Sequence, residues 1–473
     1  MTRADFLCLT PFMIIAGAPI LLMLVIAFTR NYRVIYGFSL LAFIIAFFSI
    51  FFLLPVIPHT IAPLFVFDGF SLLFFGIIII TSLFITILSN RYLLYQESDK
   101  EEYFIILFTA ALGSLILSAA SNFVTLFLGL ETLSISLYVL IAYRRSQGNS
   151  IEAGVKYLIL ASVSSAFLLF GMGLIYADTG SLEFSGIAKI VASSEQFAPL
   201  LLGGFSMMVV GIGFKLALVP FHMWTPDVYQ GAPVPVTTFI ATVSKGAVMA
   251  VLLRFFYAIQ GFRNHNFILM ITVIAILSML IGNLLAIRQQ NIKRILAYSS
   301  IANMGYLLVT LLMGNKEGLH AAVFYVISYM ITTLGAFSVI TLLSSRDMFA
   351  DQLEDYKGLF WKRPFVAIVF TLALLSLAGI PITTGFMAKF YIVFEGINSG
   401  LWILVISLII NSVIGLYYYL RVITTLFSPP NDINFPSISP AGHLVLGIVA
   451  TGILFLGIFP EGIVHLIAQF PGF

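Results

Sequence analysis

Runs of about twenty apolar residues recur along this chain from end to end, and no other feature restricts its fold so strongly. They fall near 8–29, 34–55, 69–89, 103–120, 122–143, 152–176, 199–219 with a continuation to about 230, 234–256, 267–287, 294–313, 319–344, 364–395, 401–427 and 441–459. A helix of that length crosses the hydrocarbon layer, and in lipid its backbone must satisfy its own hydrogen bonds. The pattern predicts an all-α polytopic membrane protein with about fourteen transmembrane helices. Only 9% of the 473 residues are charged and 60% are hydrophobic, whereas a soluble domain carries about 25% charged residues. The first run, Cys8–Thr29, is too long for a signal-peptide core and reads as a membrane helix. The longest polar loops, 92–102, 178–196, 345–363 and 428–440, are too short for a soluble domain, although Gln352–Lys357 within the third predicts a short interfacial helix.

Several function classes drop out. A net charge of +3 gives no argument for a nucleic-acid partner. The single cysteine, Cys8, excludes an internal disulfide and a cysteine-ligated iron–sulfur cluster. No Walker loop and no Gly-x-Gly-x-x-Gly after a strand-like run is found, so the chain is expected to bind no nucleotide or flavin. Of the 23 lysines and arginines, fourteen fall in loops on one side if both termini share the other, outer side, which holds five. That bias predicts both ends outside.

Two of the expected helices look broken. The seventh has Pro220 shortly after Lys215, and the twelfth has Gly379 and Pro381 before Lys389. Interrupted segments at corresponding places, an odd number of helices apart, point to an inverted repeat with a site near the midplane.

Charges inside the apolar runs are the candidate site. Glu131 lies deep in the fifth span, Lys215 and Lys245 flank the proline-rich Pro220–Pro235 stretch, and Lys389 follows the second break. A lysine in hydrocarbon costs about 2.5–3.5 kcal/mol on insertion scales, so such residues are functional candidates by default. Burial disfavours the charged form and an opposite charge favours it, so a Glu131–Lys215 pair of variable separation can load and unload a proton. The competing reading is a static ion pair that fixes two helices. Three lysines at midplane depth, joined by water, suggest a lateral chain of titratable groups. Glu152 and Lys156 are one turn apart at the inner end of the sixth span, suited to a surface pair or to proton uptake. His222, in the first break, can relay protons or satisfy freed carbonyls. Tyr298, Ser299, Ser300 and Asn303 share the tenth span and either hydrate the link from Lys245 to Lys389 or mediate packing. Asp227 is expected to cap or bridge a loop. His59, His265, His320, His443 and His465 have no metal-ligand spacing, and no metal is expected. The aromatic residues are expected to be mostly lipid-facing phenylalanine and interfacial tyrosine.

The stretch Gly213–Pro233, reading Gly-Phe-Lys-Leu-Ala-Leu-Val-Pro-Phe-His-Met-Trp-Thr-Pro-Asp-Val-Tyr-Gln-Gly-Ala-Pro, resembles the signature of the antiporter-like subunits of respiratory complex I. Asn291–Ile301, Tyr356–Pro364 and Leu375–Tyr391 extend the resemblance over most of the chain, which within the family is most similar to the bacterial subunit N branch. The resemblance implies two inverted five-helix repeats, helices 4–8 (residues 103–256) and 9–13 (257–427), flanked by helices 1–3 (1–102) and helix 14 (428–473). It implies Glu131 and Lys215 as a coupling pair, Lys245 as the connecting residue and Lys389 as the outward donor. Asn303 stands where similar proteins often have histidine. NADH, FMN, iron–sulfur clusters and the quinone site would belong to partner subunits, and neighbouring membrane-arm subunits and a peripheral redox arm would be its partners, in a bacterial inner membrane. A multisubunit sodium/proton antiporter subunit and a structural membrane-arm spacer are the alternatives.

Overall fold

The computed structural model describes residues 2–94, 100–144, 148–193, 198–344, 350–430 and 435–469. Arg145 and Arg346, counted above on the inner side, lie outside the described residues. The chain is helical almost throughout. The first helices are α1 (Arg3–Phe28), α2 (Tyr32–Ser49), α3 (Gly69–Leu94), α4 (Glu102–Ala119) and α5 (Phe123–Ile141). They are followed by α6 (Gly148–Thr179), α7 (Phe184–Ser193), α8 (Pro199–Leu216), α9 (Trp224–Gly231), α10 (Val234–Phe239) and α11 (Lys245–Ala258). The remainder are α12 (His265–Ile287), α13 (Ile292–Leu311), α14 (Lys316–Leu343), α15 (Leu359–Lys362), α16 (Pro364–Ala378), α17 (Thr384–Asn398), α18 (Trp402–Phe427), α19 (Pro440–Ile458) and α20 (Glu461–Ala468). A two-stranded antiparallel hairpin, β1 (His59–Ile61) and β2 (Phe65–Phe67), pairs His59 with Phe67.

Among the described residues, 12 helices are long and apolar enough to cross a membrane. Two expected spans fall outside that set for identifiable reasons. The α13 helix carries Lys293, Arg294, Asn303 and five hydroxyl residues, which lower its hydropathy. The twelfth span is split into α16 and α17, each too short alone. The expected helix at Gln352–Lys357 is a 3₁₀ turn, Leu353–Tyr356, closed by a capping box between Gln352 and Asp355.

Burial separates the centre from the rim. In the most apolar stretch of the Val234–Ala258 and Lys316–Leu343 spans 94% of the residues are buried, against 33% in Arg3–Phe28 and Gly148–Thr179. Helices apolar all round and buried all round form the core, and those apolar but exposed face lipid or neighbouring chains. The packing has a repeated plan: α4 lies against α5 as α12 lies against α13, and α6 lies against α8 as α14 lies against α16. Close approach in the first pairs requires glycine. A Cβ at Gly113 would sit 2.6 Å from the Leu133 nitrogen, and one at Gly282 would sit 2.7 Å from the Ala302 nitrogen.

The two faces of the bundle are chemically distinct. On the face where α1 begins, the β1–β2 turn is sewn to the α4–α5 junction, as Leu64 O accepts from Ser121 N–H and Thr125 Oγ1. Asp68, which caps α3 with Ser71, makes a bidentate pair with Arg254 of α11 at 2.8 and 2.9 Å. Below, this is the terminal face. The opposite face holds Asp227, Lys293, Arg294 and Asp351, and is called the charged face.

Candidate functional site

Both breaks end their first half-helix with the same hydrogen bonds. In α8, Ala217 N–H donates to Phe214 O and Leu218 N–H to Gly213 O. In α16, Gly379 N–H donates to Ser376 O and Ile380 N–H to Leu375 O. This is the Schellman arrangement, which needs a left-handed residue. Ala217 supplies it at φ 62° and Gly379 at φ 84°. At the first break, the Trp224 indole N–H satisfies Phe214 O and the Ser278 hydroxyl receives Val219 N–H. A half-helix C-terminus buried at mid-depth presents carbonyls and the negative end of its dipole, which favours a cation.

Each break has a lysine beside it, but placed differently. Lys215 lies in the last turn of α8, is 4% exposed, and donates to Ser134 Oγ at 2.6 Å and Tyr157 Oη at 3.5 Å. Lys389 belongs to α17 and reaches back to Leu377 O and Ala378 O of α16 at 2.9 and 3.0 Å, with Ser412 Oγ at 2.9 Å and the Tyr306 ring centroid at 5.0 Å. Aligning the breaks sets Ala217 against Gly379 and therefore Lys215 against Leu377. The two lysines differ in register, and only Lys389 bonds the carbonyls of the half-helix end.

Glu131 and Lys215 do not touch. Glu131 Oε1 accepts from Ser165 of α6 at 2.5 Å, while Lys215 is held by Ser134, three residues along α5 from Glu131. The pair expected from sequence is thus separated, each partner engaged by a hydroxyl.

Lys245, 1% exposed, opens α11 directly after a π-helical turn at Ile240–Ser244. Such turns widen the helix locally and recur at functional sites. Its ammonium donates to Ser300 Oγ at 2.6 Å, which is bonded to Tyr329 Oη at 2.6 Å, and the Tyr229 ring centroid lies 5.8 Å away. Tyr329 in turn borders a cavity of about 10 Å³ shared with Asn303, Tyr325, Ser376 and Lys389. A space of roughly 10–15 Å³ holds one water. Lys245 and Lys389 are therefore separated by Ser300, Tyr329 and room for one water.

A second hydroxyl–amide chain surrounds this line. Tyr419 bonds Ser299, Asn303 Nδ2 donates to Ser299 O at 2.8 Å, and Tyr325 Oη donates to Asn303 Oδ1 at 2.7 Å. Asn283 donates to Tyr306 Oη at 2.9 Å and accepts from Tyr418 Oη at 3.0 Å. Ser299, Ser300 and Asn303 thus join the polar centre, whereas Tyr298 is only partly buried and stands outside it. The expectation that tyrosine is mostly interfacial is corrected here: Tyr157, Tyr229, Tyr418 and Tyr419 are among the largest fully buried side chains. Their hydroxyls need partners in a low-dielectric interior, and clustering supplies them.

At the charged face, Lys156 bridges Glu152 at 2.7 Å and Asp227 at 3.0 Å, and Arg294 reaches the same Asp227 at 2.8 Å. Asp227 therefore joins α6, α9 and α13, a larger role than loop capping. Beside it, Lys293 pairs with Asp351 at 2.8 Å and donates to Gln230 O at 2.9 Å. His222 is 6% exposed, and its Nδ1 has no hydrogen-bond partner among the described residues. It joins none of the lysine networks. Sequence reasoning missed Ser134, Ser165, Tyr157, Tyr329 and the Asp68–Arg254 pair. Only the last had a usable signal, an arginine inside an apolar run and near its end. Among the described residues, no three His, Cys, Asp or Glu come together as metal ligands.

The family described as NADH:quinone oxidoreductase/Mrp antiporter, transmembrane, matches residues 120–415, which contain both breaks and all four candidate ions. A chain of respiratory complex I from Thermus thermophilus, solved with bound aureothin, is 31% identical, with a TM-score of 0.84 over 96% of this chain and 99% of that one. A chain of an archaeal membrane-bound sulfane sulfur reductase is 24% identical with TM-score 0.86 over 98% of this chain and 96% of that one. A chain of the Mrp complex from Dietzia sp. DQ12-45-1b is 20% identical with TM-score 0.87 over 99% and 96%. At those lower identities, the last two establish a shared fold alone.

Proposed function

The chain belongs to the membrane-subunit family shared by NADH:quinone oxidoreductases and Mrp antiporters, and from that premise we propose that it moves protons as an N-type subunit of a bacterial complex I. The observation that carries this reading is the row of buried ammonium groups, Lys215, Lys245 and Lys389, each held by hydroxyls from other helices. Quinone reduction elsewhere in the complex would drive the cycle. The redox groups, NADH, FMN and iron–sulfur clusters, would reside in partner subunits, as would the quinone.

In this reading Glu131 and Lys215 change separation during the cycle. Ser165 and Ser134 hold them apart in the described state. Approach of Glu131 favours a charged Lys215, and retreat lets the proton pass toward Lys245. From Lys245 the relay is Ser300, Tyr329 and one water to Lys389. The charged face is then the inner side and the terminal face the outer side, where both ends of the chain lie. The matching break geometry and helix packing support reading 103–256 and 257–427 as inverted repeats, with 1–102 and 428–473 flanking them.

The test replaces Lys245 by alanine in the assembled complex. Proton uptake per electron should fall, while NADH oxidation by an artificial acceptor continues. An unchanged proton-to-electron ratio in a complex of normal subunit content would refute the reading and favour the structural spacer. Copurification without an NADH-binding arm would favour the antiporter.

A further inference from the structure

The terminal-face half of the first repeat is sealed by aromatic rings. Phe123 of α5 packs on Phe255 of α11 at 5.4 Å between centroids, and Phe184 of α7 packs on the same ring at 4.9 Å. Phe205 of α8 touches Phe255 at 6.0 Å and Phe267 of α12 at 5.6 Å, and Phe256 stacks on Phe267 at 5.6 Å. All six rings are at most 5% exposed. Five helices from both halves of the chain thus meet in one continuous aromatic layer.

Against the layer lies a cavity bounded by Phe205, Ile212, Gly213, Leu218, Leu252 and Phe255, among other apolar residues only. Its volume for water is about 30 Å³, which is roughly two to three times the minimum for one water. A water there would find no polar side-chain partner, and apolar cavities of this kind stay dry. Gly213 and Leu218 are the very residues whose hydrogen bond forms the first break, next to Lys215. Phe205 precedes Lys215 by ten residues and Phe255 follows Lys245 by ten, about 15 Å at the helical rise. The cavity therefore reaches from the backbone of the first break to the ring layer, which stands between the two lysines and the terminal face.

We propose that this dry cavity and its six-phenylalanine lid form a hydrophobic seal that keeps a proton held at Lys215 from escaping to the terminal face. Hydrophobic constrictions close conduction by excluding water, and a proton needs a continuous chain of hydrogen-bonding groups to cross. With this direct way shut, the proton's remaining polar neighbours lie sideways, toward Lys245 and Lys389. The proposal rests on the proton-moving reading above and adds the element that makes the first half one-sided. The six rings lie on α5, α7, α8, α11 and α12, and none of them on α16 or α17, the half-helices of the second break.

The test is passive proton flux. The whole complex is reconstituted in liposomes, no electron donor is added, and an imposed pH difference is followed with a trapped pH dye. Leu252→Ser places a hydroxyl in the cavity, and Phe255→Ser opens the lid. Each should raise proton flux several-fold over the unmodified complex, while Phe255→Trp, which keeps an aromatic lid, should not. Adding Lys215→Ala to Leu252→Ser should abolish the extra flux. Should Phe255→Ser fail to assemble, Leu252→Ser decides alone. Flux equal to that of the unmodified complex, or a leak that persists without Lys215, would overturn the seal. Neither result depends on turnover, so failure of the seal is separable from failure of the Lys245 test.

Discussion

Replacing Gly379 by alanine probes how the second break holds its lysine. Gly379 has φ 84°, where an L-residue costs roughly 1–2 kcal/mol. That cost is bearable, because Ala217 accepts φ 62° at the matching position of α8. The larger consequence is steric. A Cβ on Gly379 would stand 2.9 Å from Lys389 Cδ and 3.3 Å from Nζ. The lysine is the movable partner and must withdraw, losing its bonds to Leu377 O and Ala378 O. Hydrogen bonds from a charged group contribute about 1.5–3 kcal/mol each, so the present pose loses on the order of 3 kcal/mol, roughly a hundredfold in occupancy. The expected outcome is a complex with normal subunit content and a lowered proton-to-electron ratio, measured by dye quenching against NADH consumption in proteoliposomes. The reciprocal change, Ala217→Gly, relieves strain without touching Lys215 and should raise thermal stability by about 1 kcal/mol with pumping intact. Full pumping by Gly379→Ala would show that the cage around Lys389 is not set by the left-handed residue, and destabilisation by Ala217→Gly would show that Ala217 carries no strain at the first break.

Three further outcomes follow from buried polar pairs. Arg254→Leu leaves the Asp68 carboxylate uncompensated and should cost about 3–5 kcal/mol of stability, whereas the double change with Asp68→Leu should recover most of it; equal melting of single and double variants would contradict a coupled pair. Burial pushes the Asp68 carboxyl up, but Arg254 and the Ser71 backbone outweigh it and hold it below the usual carboxylate range. Its contribution is therefore present at neutral pH and lost as pH falls through that depressed value, so Asp68→Asn should flatten the acid limb of the melting-temperature profile. Ser300→Ala removes the group between Lys245 and Tyr329 and should depress pumping nearly as far as Lys245→Ala; retention of the full ratio would mean that the relay runs elsewhere.

The depth of the lysines was legible in the sequence because an ammonium in an apolar run is too costly to be incidental. Their partners were not. Serine and threonine are scattered through every span, and nothing in their spacing singles out Ser134 for Lys215 or Ser300 for Lys245. Those contacts depend on the rotation of each helix about its axis, which small residues such as Gly113 and Gly282 decide by letting one backbone lie against another. Tyrosine misled for the same reason. Its usual place at the interface is a preference of isolated spans, and in a bundle this thick the hydroxyls of Tyr329, Tyr418 and Tyr419 find Ser300, Asn283 and Ser299 at the centre instead.

The breaks carry the argument furthest. Pro220 and Pro381 announce them in the sequence, but proline does not say which residue turns left-handed or where the cation sits. The fold gives both half-helices the same terminal hydrogen bonds and sets a lysine beside each from a different register, Lys215 in the last turn of its own half-helix and Lys389 reaching the end carbonyls from the half-helix beyond. If the negative end of a buried half-helix is what selects for a cation there, the register is free to vary while the charge is not. Moving the cation at the second break from Lys389 to Leu377, by Leu377→Lys with Lys389→Leu, should then restore part of the pumping lost in Lys389→Leu alone. No recovery in a complex of normal composition would mean that the side of the break from which the lysine reaches is itself required.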